Sequence, residues 1–426
     1  MRPFLLSSMF AFGLLTVCLP ATSQDQAEKK PSHSSVNVVK GTYINNSSQG
    51  NTVLTRTDET GRRSQLVATG KITIAPDEKS IIAISDGGKF EYSVREKNAP
   101  EHMVVLKHKN GELVGFYWVD HEPKDYNTAG KAWLAQQLPE VISTTGIGAE
   151  ARAERLMQEG GSAKVLDYTA TMPSGSGKTK MYRYLLANPD LKPTDLQTLV
   201  EQVGQTKNSD YEVVSLLTKI PASKLNHSGI AEAYVKAAAG VGSDYEKAKA
   251  LKHLLLQENL PESTLTRIAE ASAGMSSDYE KRKLLTSLAA RPELTEKQFA
   301  FAMKALQKVS SDYERTQALS PFMKHEKQVI RHFDQVLPLI STIGSDYEKV
   351  KAYGNLLKVG TLGSSQYVPL LKASEGISSD YEKSKLLRKI ATQLPKDDKR
   401  VRDAFAHAAK TVSSKYEYDK VMASFK

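Results

Sequence analysis

The chain has 426 residues, 40% of them hydrophobic and 25% charged, a composition that excludes a wholly disordered chain. The formal charge of +10 favours anionic partners such as envelope polymers, acidic proteins or nucleic acid. The basic residues form no long block, however, and Lys and Glu interspersed on solvated helix faces are the simpler source of the excess.

Met1-Arg2 supplies a short positive region, Phe4 to Leu19 is apolar, and Ala21 to Ser23 places small residues at a signal-peptidase site. These features predict a signal peptide over 1–23 and a mature chain beginning near Gln24, exported to the periplasm or beyond. The apolar run is short for a membrane span, which needs about 20 residues, and no later stretch is apolar enough to cross. Cys18 is the only cysteine, so cleavage leaves no thiol for a disulfide, a nucleophile or a metal site. Residues 24–35 are polar and aperiodic and read as a linker.

Residues 36–120 read as a small antiparallel β domain of about six strands. Phe90, Tyr92 and Val94 alternate with polar neighbours, the period of a half-buried strand. Asn110-Gly111 suits a tight hairpin because both residues tolerate positive φ, and Ser85–Gly88 marks another turn. From Tyr126 the period becomes helical. Thr128 is the expected N-cap of a helix carrying Trp133, Leu134, Leu138 and Ile142, and a second helix is expected to stop at a left-handed cap at Gly160-Gly161. Residues 121–178 are thus connecting helices.

From 179 to 426 a repeat dominates. Asp-Tyr-Glu recurs at Asp210, Asp244, Asp278, Asp312, Asp346 and Asp380, each 34 residues after the last, and a seventh, altered copy reads Ser413–Val421. A fixed period of this length is the signature of stacked helix pairs. In the unit at 278 the A helix ends before Pro292, Thr295 caps the B helix, and Phe299, Ala302, Met303 and Leu306 form one apolar stripe. Pro221, Pro261 and Pro395 mark the same connection elsewhere. The units at 312 and 346 lack that proline, so their B helices are less sharply defined. A degenerate unit starts near Thr179, and the helix after Ser414 is the expected cap of the stack. The fold class is therefore α+β, a β domain followed by an α-solenoid resembling tetratricopeptide or HEAT arrays in plan.

Serine precedes every copy (Ser209, Ser243, Ser277, Ser311, Ser345, Ser379, Ser414), and glutamate follows three residues later (Glu212, Glu246, Glu280, Glu314, Glu348, Glu382, Glu417). Ser-x-x-Glu predicts a capping box, with the hydroxyl accepting from the third N–H and the Glu reaching back to the cap N–H. Asp at the first helical position suits the positive end of the macrodipole. Capping requires no aromatic. At about 100° per residue, Leu284, Leu285 and Leu288 cluster opposite Tyr279. Tyr211, Tyr245, Tyr279, Tyr313, Tyr347 and Tyr381 therefore form either a packing ladder between units, on rings or Lys stems, or a partner-binding column.

Residues 175–179 read Gly-Ser-Gly-Lys-Thr, like a phosphate loop, but Met172 stands where that pattern needs glycine. His325 and Glu326 begin like a zinc-protease helix, but Val329 fills the second histidine's place, and His325 with His332 lacks a third ligand. No catalytic constellation, cofactor site or metal site is expected.

The segment from Ile84 to Val94, the Trp133-Leu134 helix with Pro139, the Gly146-Ile147 junction and the Ser-Asp-Tyr repeats resemble, over roughly residues 80–426, the extracytoplasmic segment beside bacterial membrane metallopeptidases of the beta-lactam sensor-transducer type and related stand-alone exported proteins. The peptidase motif His-Glu-x-x-His is absent here, so the resemblance implies neither peptidase activity nor zinc. The expected function is a non-enzymatic exported binding or scaffolding protein of the cell envelope, a sensory or regulatory partner of another envelope protein. The alternative is recognition of an anionic envelope polymer through Lys247, Lys281, Arg315, Lys349 and Lys383, two residues after each Tyr. A hydrolase comes third. No nucleic-acid partner is expected.

Overall fold

The computed structural model describes residues 41–46, 51–257, 259–360 and 362–425. The expected signal peptide, the linker and Cys18 lie outside the described residues. The chain divides into two compact units, one of residues through Ala75 with Lys79–Gln136, the other of Pro76–Glu78 with Gln137 onward.

The first unit holds nine described strands where about six were expected: β1 (Gly41–Asn46), β2 (Thr52–Thr57), β3 (Arg63–Thr69), β4 (Ile72–Ile74), β5 (Ile81–Ile84), β6 (Lys89–Arg95), β7 (Glu101–Lys109), β8 (Glu112–Val119) and β9 (Glu122–Lys124). Seven form one antiparallel sheet in the order β1-β2-β3-β6-β7-β8-β9, while β4 and β5 pair apart as a hairpin. β4 and β9 have three residues each, too few to show an alternation in sequence. Lys109 pairs with Glu112 around Asn110 (φ 53°) and Gly111 (φ 86°), the two positive φ angles that a twisted two-residue hairpin requires. At the Ser85–Gly88 turn the Gly88 N–H donates to the Ser85 carbonyl at 2.9 Å.

Strand β6 departs from the half-buried pattern. Phe90, Tyr92 and Val94 are buried, but so are Glu91 and Ser93. Glu91 pairs with Val105 and Ser93 with Met103, and Met103, Val105 and Trp118 form an apolar cluster on that face. On the other face the indole of Trp133 lies against His102, Tyr117 and Tyr92, with ring centres 5.6, 5.9 and 6.0 Å apart. Thr128 is not the N-cap. Asp125 takes that place, accepting from the N–H of Asn127 and Thr128, because a carboxylate is the better acceptor for the first-turn N–H groups.

In the second unit Gly160 and Gly161 interrupt the helix Ala149–Thr171. The break is a kink, after which the helix resumes. Gly161 has φ 70° and ψ −165°, a region open to glycine but outside the left-handed cap expected there. The array begins with the helices Ser176–Leu186 and Pro193–Gln205, the expected degenerate pair. The A helices follow: Asp210–Leu217, Asp244–Leu255, Asp278–Ala289, Asp312–Leu319, Asp346–Leu356, Asp380–Ala391 and Lys415–Ser424. The B helices are Ser228–Ala239, Glu262–Ala273, Glu296–Gln307, Phe333–Ser341, Ser364–Ser374 and Lys399–Lys410. Each A helix packs on the A helix before it and each B helix on the B helix before it, the two layers of a solenoid.

The apolar stripes explain the stacking. Phe299, Ala302, Met303 and Leu306 are all buried, and one core runs from Ala149 to Val421. Thr295 and Gln298 close a reciprocal capping box on that B helix. The unit at 312 is the irregular one. Its second half splits into a 3-10 turn Ser320–Lys324, a short helix Glu326–Arg331 and then Phe333–Ser341. At the end of the array, Phe405 of the last B helix and Phe425, just past the last A helix, stack with ring centres 4.4 Å apart.

Candidate partner-binding face

Each Ser-Asp-Tyr-Glu start divides its four side chains between building the stack and facing outward. The serine caps. In all seven copies its Oγ accepts from the Glu N–H three residues on, at 3.3–3.4 Å. The returning arm of the capping box is not made. Glu212, Glu246, Glu280, Glu314, Glu348, Glu382 and Glu417 do not reach back to the cap N–H, because from Ser243 onward that N–H is already held by the preceding unit.

The holder is the motif aspartate. Asp210, Asp244, Asp278, Asp312, Asp346 and Asp380 each accept from the cap serine N–H of the next unit at 2.7–2.8 Å. Each also accepts from the N–H just before that serine, at 2.8–3.2 Å. One carboxylate thus closes one helix pair onto the next. At Asp278 burial works to raise the pKa, but the Ser311 and Ser310 N–H groups and the Lys281 ammonium outweigh it and hold the carboxyl below its ordinary value. The degenerate unit has a weaker version, in which Ser174 Oγ accepts from the Lys207 N–H at 2.8 Å.

The glutamates lie along their own helices, most of them nearly covered. Glu246, Glu280, Glu348, Glu382 and Glu417 pair with Lys249, Lys283, Lys351, Lys385 and Lys420 at 3.2–3.5 Å. Glu314 pairs with Arg282 of the preceding unit. Four of these lysines also reach back over the tyrosine of the unit before. Lys249, Lys283, Lys351 and Lys385 lie 5.6–5.8 Å from the ring centres of Tyr211, Tyr245, Tyr313 and Tyr347, within cation–π range.

The six column tyrosines remain 51–62% exposed, as the helical projection required. No motif tyrosine ring stacks on another among the described residues. The contact between units is therefore ring to lysine at four of the six column tyrosines, while Tyr279 lies against Arg282 and Lys283 of its own helix, and most of each ring stays open to solvent.

The residues two after each tyrosine lie elsewhere. Lys281, Lys349 and Lys383 are buried. Lys281 Nζ donates to the Lys308 carbonyl at 2.6 Å and Lys383 Nζ to the Thr411 carbonyl at 3.1 Å. Arg315 Nε donates to the Val309 carbonyl at 2.8 Å. Lys281, Lys383 and Arg315 thus satisfy open carbonyls at or just past the ends of B helices, while Lys247 is half-buried. Cations on the outer face include those four residues after the tyrosine, a series that two of the seven copies, with Ser215 and Gln317, interrupt.

Between neighbouring A helices this face is concave. A groove of about 960 Å³ lies over the units at 244 and 278, lined by Tyr245, Lys249, Lys252, Leu256 and Lys283 among others. A smaller one of about 260 Å³ repeats it over the units at 346 and 380, with Tyr347, Lys351 and Lys385 at the places of Tyr245, Lys249 and Lys283, and with Lys358 and Lys389 at those of Leu256 and Ser287.

The motif-like segments have structural destinations. Lys178, the lysine of Gly-Ser-Gly-Lys-Thr, is buried and donates to the Met172 carbonyl at 3.2 Å. His325 Nε2 lies 2.9 Å from the Ala289 carbonyl. His332 stacks on Phe299 at a break between two helices, so it does not share a helix face with His325.

No protein-family model matches the chain, and no curated protein does. A solved structure described as "Computational Design of Self-Assembling Cyclic Protein Homooligomers" aligns with 67% of this chain and 91% of its own length, at 13% identity and a TM-score of 0.14. A likeness of that size carries no argument.

Proposed function

We propose that this chain is a non-enzymatic binding or scaffolding protein whose A-helix face holds an extended partner, another protein of the cell envelope. The observation that carries this reading is the column from Tyr211 to Tyr381, present in each of the six Asp-Tyr-Glu units and more than half exposed. Fold requirements account for the serine, which caps, and for the aspartate, which clasps. They do not account for a large ring turned outward, where it gains only about 0.5–1 kcal/mol from a neighbouring ammonium. Large aromatics with a hydroxyl at the rim are suited to recognition, and a solenoid presents such residues along an extended surface. The signal peptide expected over 1–23 and the resemblance to segments beside envelope metallopeptidases support an exported setting.

Capture from an envelope fraction tests the reading, using the parent and a variant with Tyr245, Tyr279, Tyr313 and Tyr347 changed to alanine. The variant is expected to lose the captured protein while it keeps the parent's helical circular dichroism, with stability lowered by no more than the four lost contacts of about 0.5–1 kcal/mol each. Retention of the same partner contradicts the reading, as does turnover of a substrate by the purified chain.

A further inference from the structure

We infer that the two grooves of the A-helix face take an acidic polypeptide segment in extended form, with an apolar side chain seated at Leu256. The inference rests on the reading of this face as a binding surface and adds the chemistry of its partner.

Three observations lead there. The first is charge. The cations lining the grooves are Lys249, Lys252, Lys283 and Arg291 in one and Lys351, Lys358, Lys385 and Lys389 in the other. The glutamates beside them are nearly covered, with Glu246, Glu280, Glu348 and Glu382 side chains 9–13% exposed against 29–48% for their lysine partners. The lysines therefore present the charge that a partner meets. In the second groove Lys389 is held below the ordinary lysine pKa by burial and by Lys358 beside it, and an anion placed between them relieves that repulsion.

The second observation is apolar surface within the basic groove. Leu256 is 76% exposed, the most exposed large hydrophobic residue on the described surface, and it lies beside Leu255, Ala290 and Pro292. A uniformly charged polysaccharide has nothing to cover it, whereas a peptide side chain does. The third is spacing. The grooves occupy the same place in units three repeats apart. Stacked helices lie roughly 10 Å apart, so the grooves are about 30 Å apart, or about nine extended residues. Gln317 interrupts the lysine series between them, which makes two anchor points rather than one continuous track.

Fluorescence anisotropy of the purified chain with a labelled peptide of repeated Glu-Glu-Leu, about twelve residues long, tests the inference. Controls are the matched Gln-Gln-Leu peptide and labelled dextran sulfate. The acidic peptide is expected to bind, to weaken with added salt, and to weaken about tenfold on pairing Lys249→Glu with Lys283→Glu. The same reversals at Lys236 and Lys297, exposed on B helices, should leave it unchanged. Leu256→Ser, at a site too exposed to disturb folding, should weaken it as well. Equal binding of the neutral peptide, binding of dextran sulfate in place of the peptide, or indifference to both groove changes overturns the inference. If the tyrosine variant still fails to capture its envelope partner, the reading of the face stands and only the acidic partner falls. If capture is also unaffected, both fall.

Discussion

Six units of the array begin Ser-Asp-Tyr-Glu, and the last begins Ser-Lys-Tyr-Glu at Ser414–Glu417. In the six, the aspartate accepts two N–H groups of the unit that follows. Lys415 has only donors and can hold no N–H, so the series of clasps ends at Asp380. The tyrosine persists. Tyr416 is 68% exposed, with Lys420 of its own helix 3.8 Å from its ring centre. Where clasping stops, the aspartate is gone, but the ring remains. The comparison separates a residue that joins units from one that the joining does not need.

The largest effect that breaks this contrast is loss of a clasp. Asp278→Ala removes the acceptor for the Ser310 and Ser311 N–H groups and should destabilise the array by about 1.5–3 kcal/mol, read by urea unfolding. Asp278→Asn keeps an acceptor oxygen and should lose less. Lys415→Ala should stay within about 0.5 kcal/mol. A comparable loss at Lys415 would erase the distinction between the units.

Acid reaches the same clasp without mutation. The Asp278 carboxyl is held below its ordinary value in the folded chain, so its contribution is present above the unfolded-state pKa. It is lost as pH falls through the lower folded value, that is, below about 4. Circular dichroism from neutral pH downward should show the parent losing helix in that window, with Asp278→Asn less sensitive there. A parent whose stability rises on acidification would reverse the sign.

Next in size is the cap. Ser277→Ala should cost about 0.5–2 kcal/mol, and Glu280→Gln less, since Glu280 makes no returning cap bond and only a partly exposed pair with Lys283. Equal losses at the two positions would restore the reciprocal box. Smallest is Tyr279→Ala, about 0.5–1 kcal/mol, the scale of exposed cation–π contacts.

Local chemistry made the caps and the hairpin legible. A serine three residues before its acceptor's partner N–H, and Asn110-Gly111 between strands, are contacts within a few positions. The clasp spans 32–34 residues from Asp to N–H, and sequence shows only that Asp recurs. One signal was there, the single lysine at 415. Thr128 reads as a cap in sequence because a hydroxyl and a carboxylate cap residue, Thr128 and Asp125, stand three positions apart, and only backbone geometry decides between them. The outer lysines do not stand out in sequence because Ser215 and Gln317 break their period, and Lys281 reads as a surface charge because nothing local shows the B-helix carbonyl that it meets. The short strands β4 and β9 carried too few residues to display a period.

The most direct measurement is the pair of urea midpoints for Asp278→Ala and Tyr279→Ala, neighbours in one motif. The account predicts a clear downward shift for the aspartate change and a small one for the tyrosine change. A tyrosine shift as large as that of the aspartate would contradict it, making the column part of the stack and leaving the outer face without its spare row of rings.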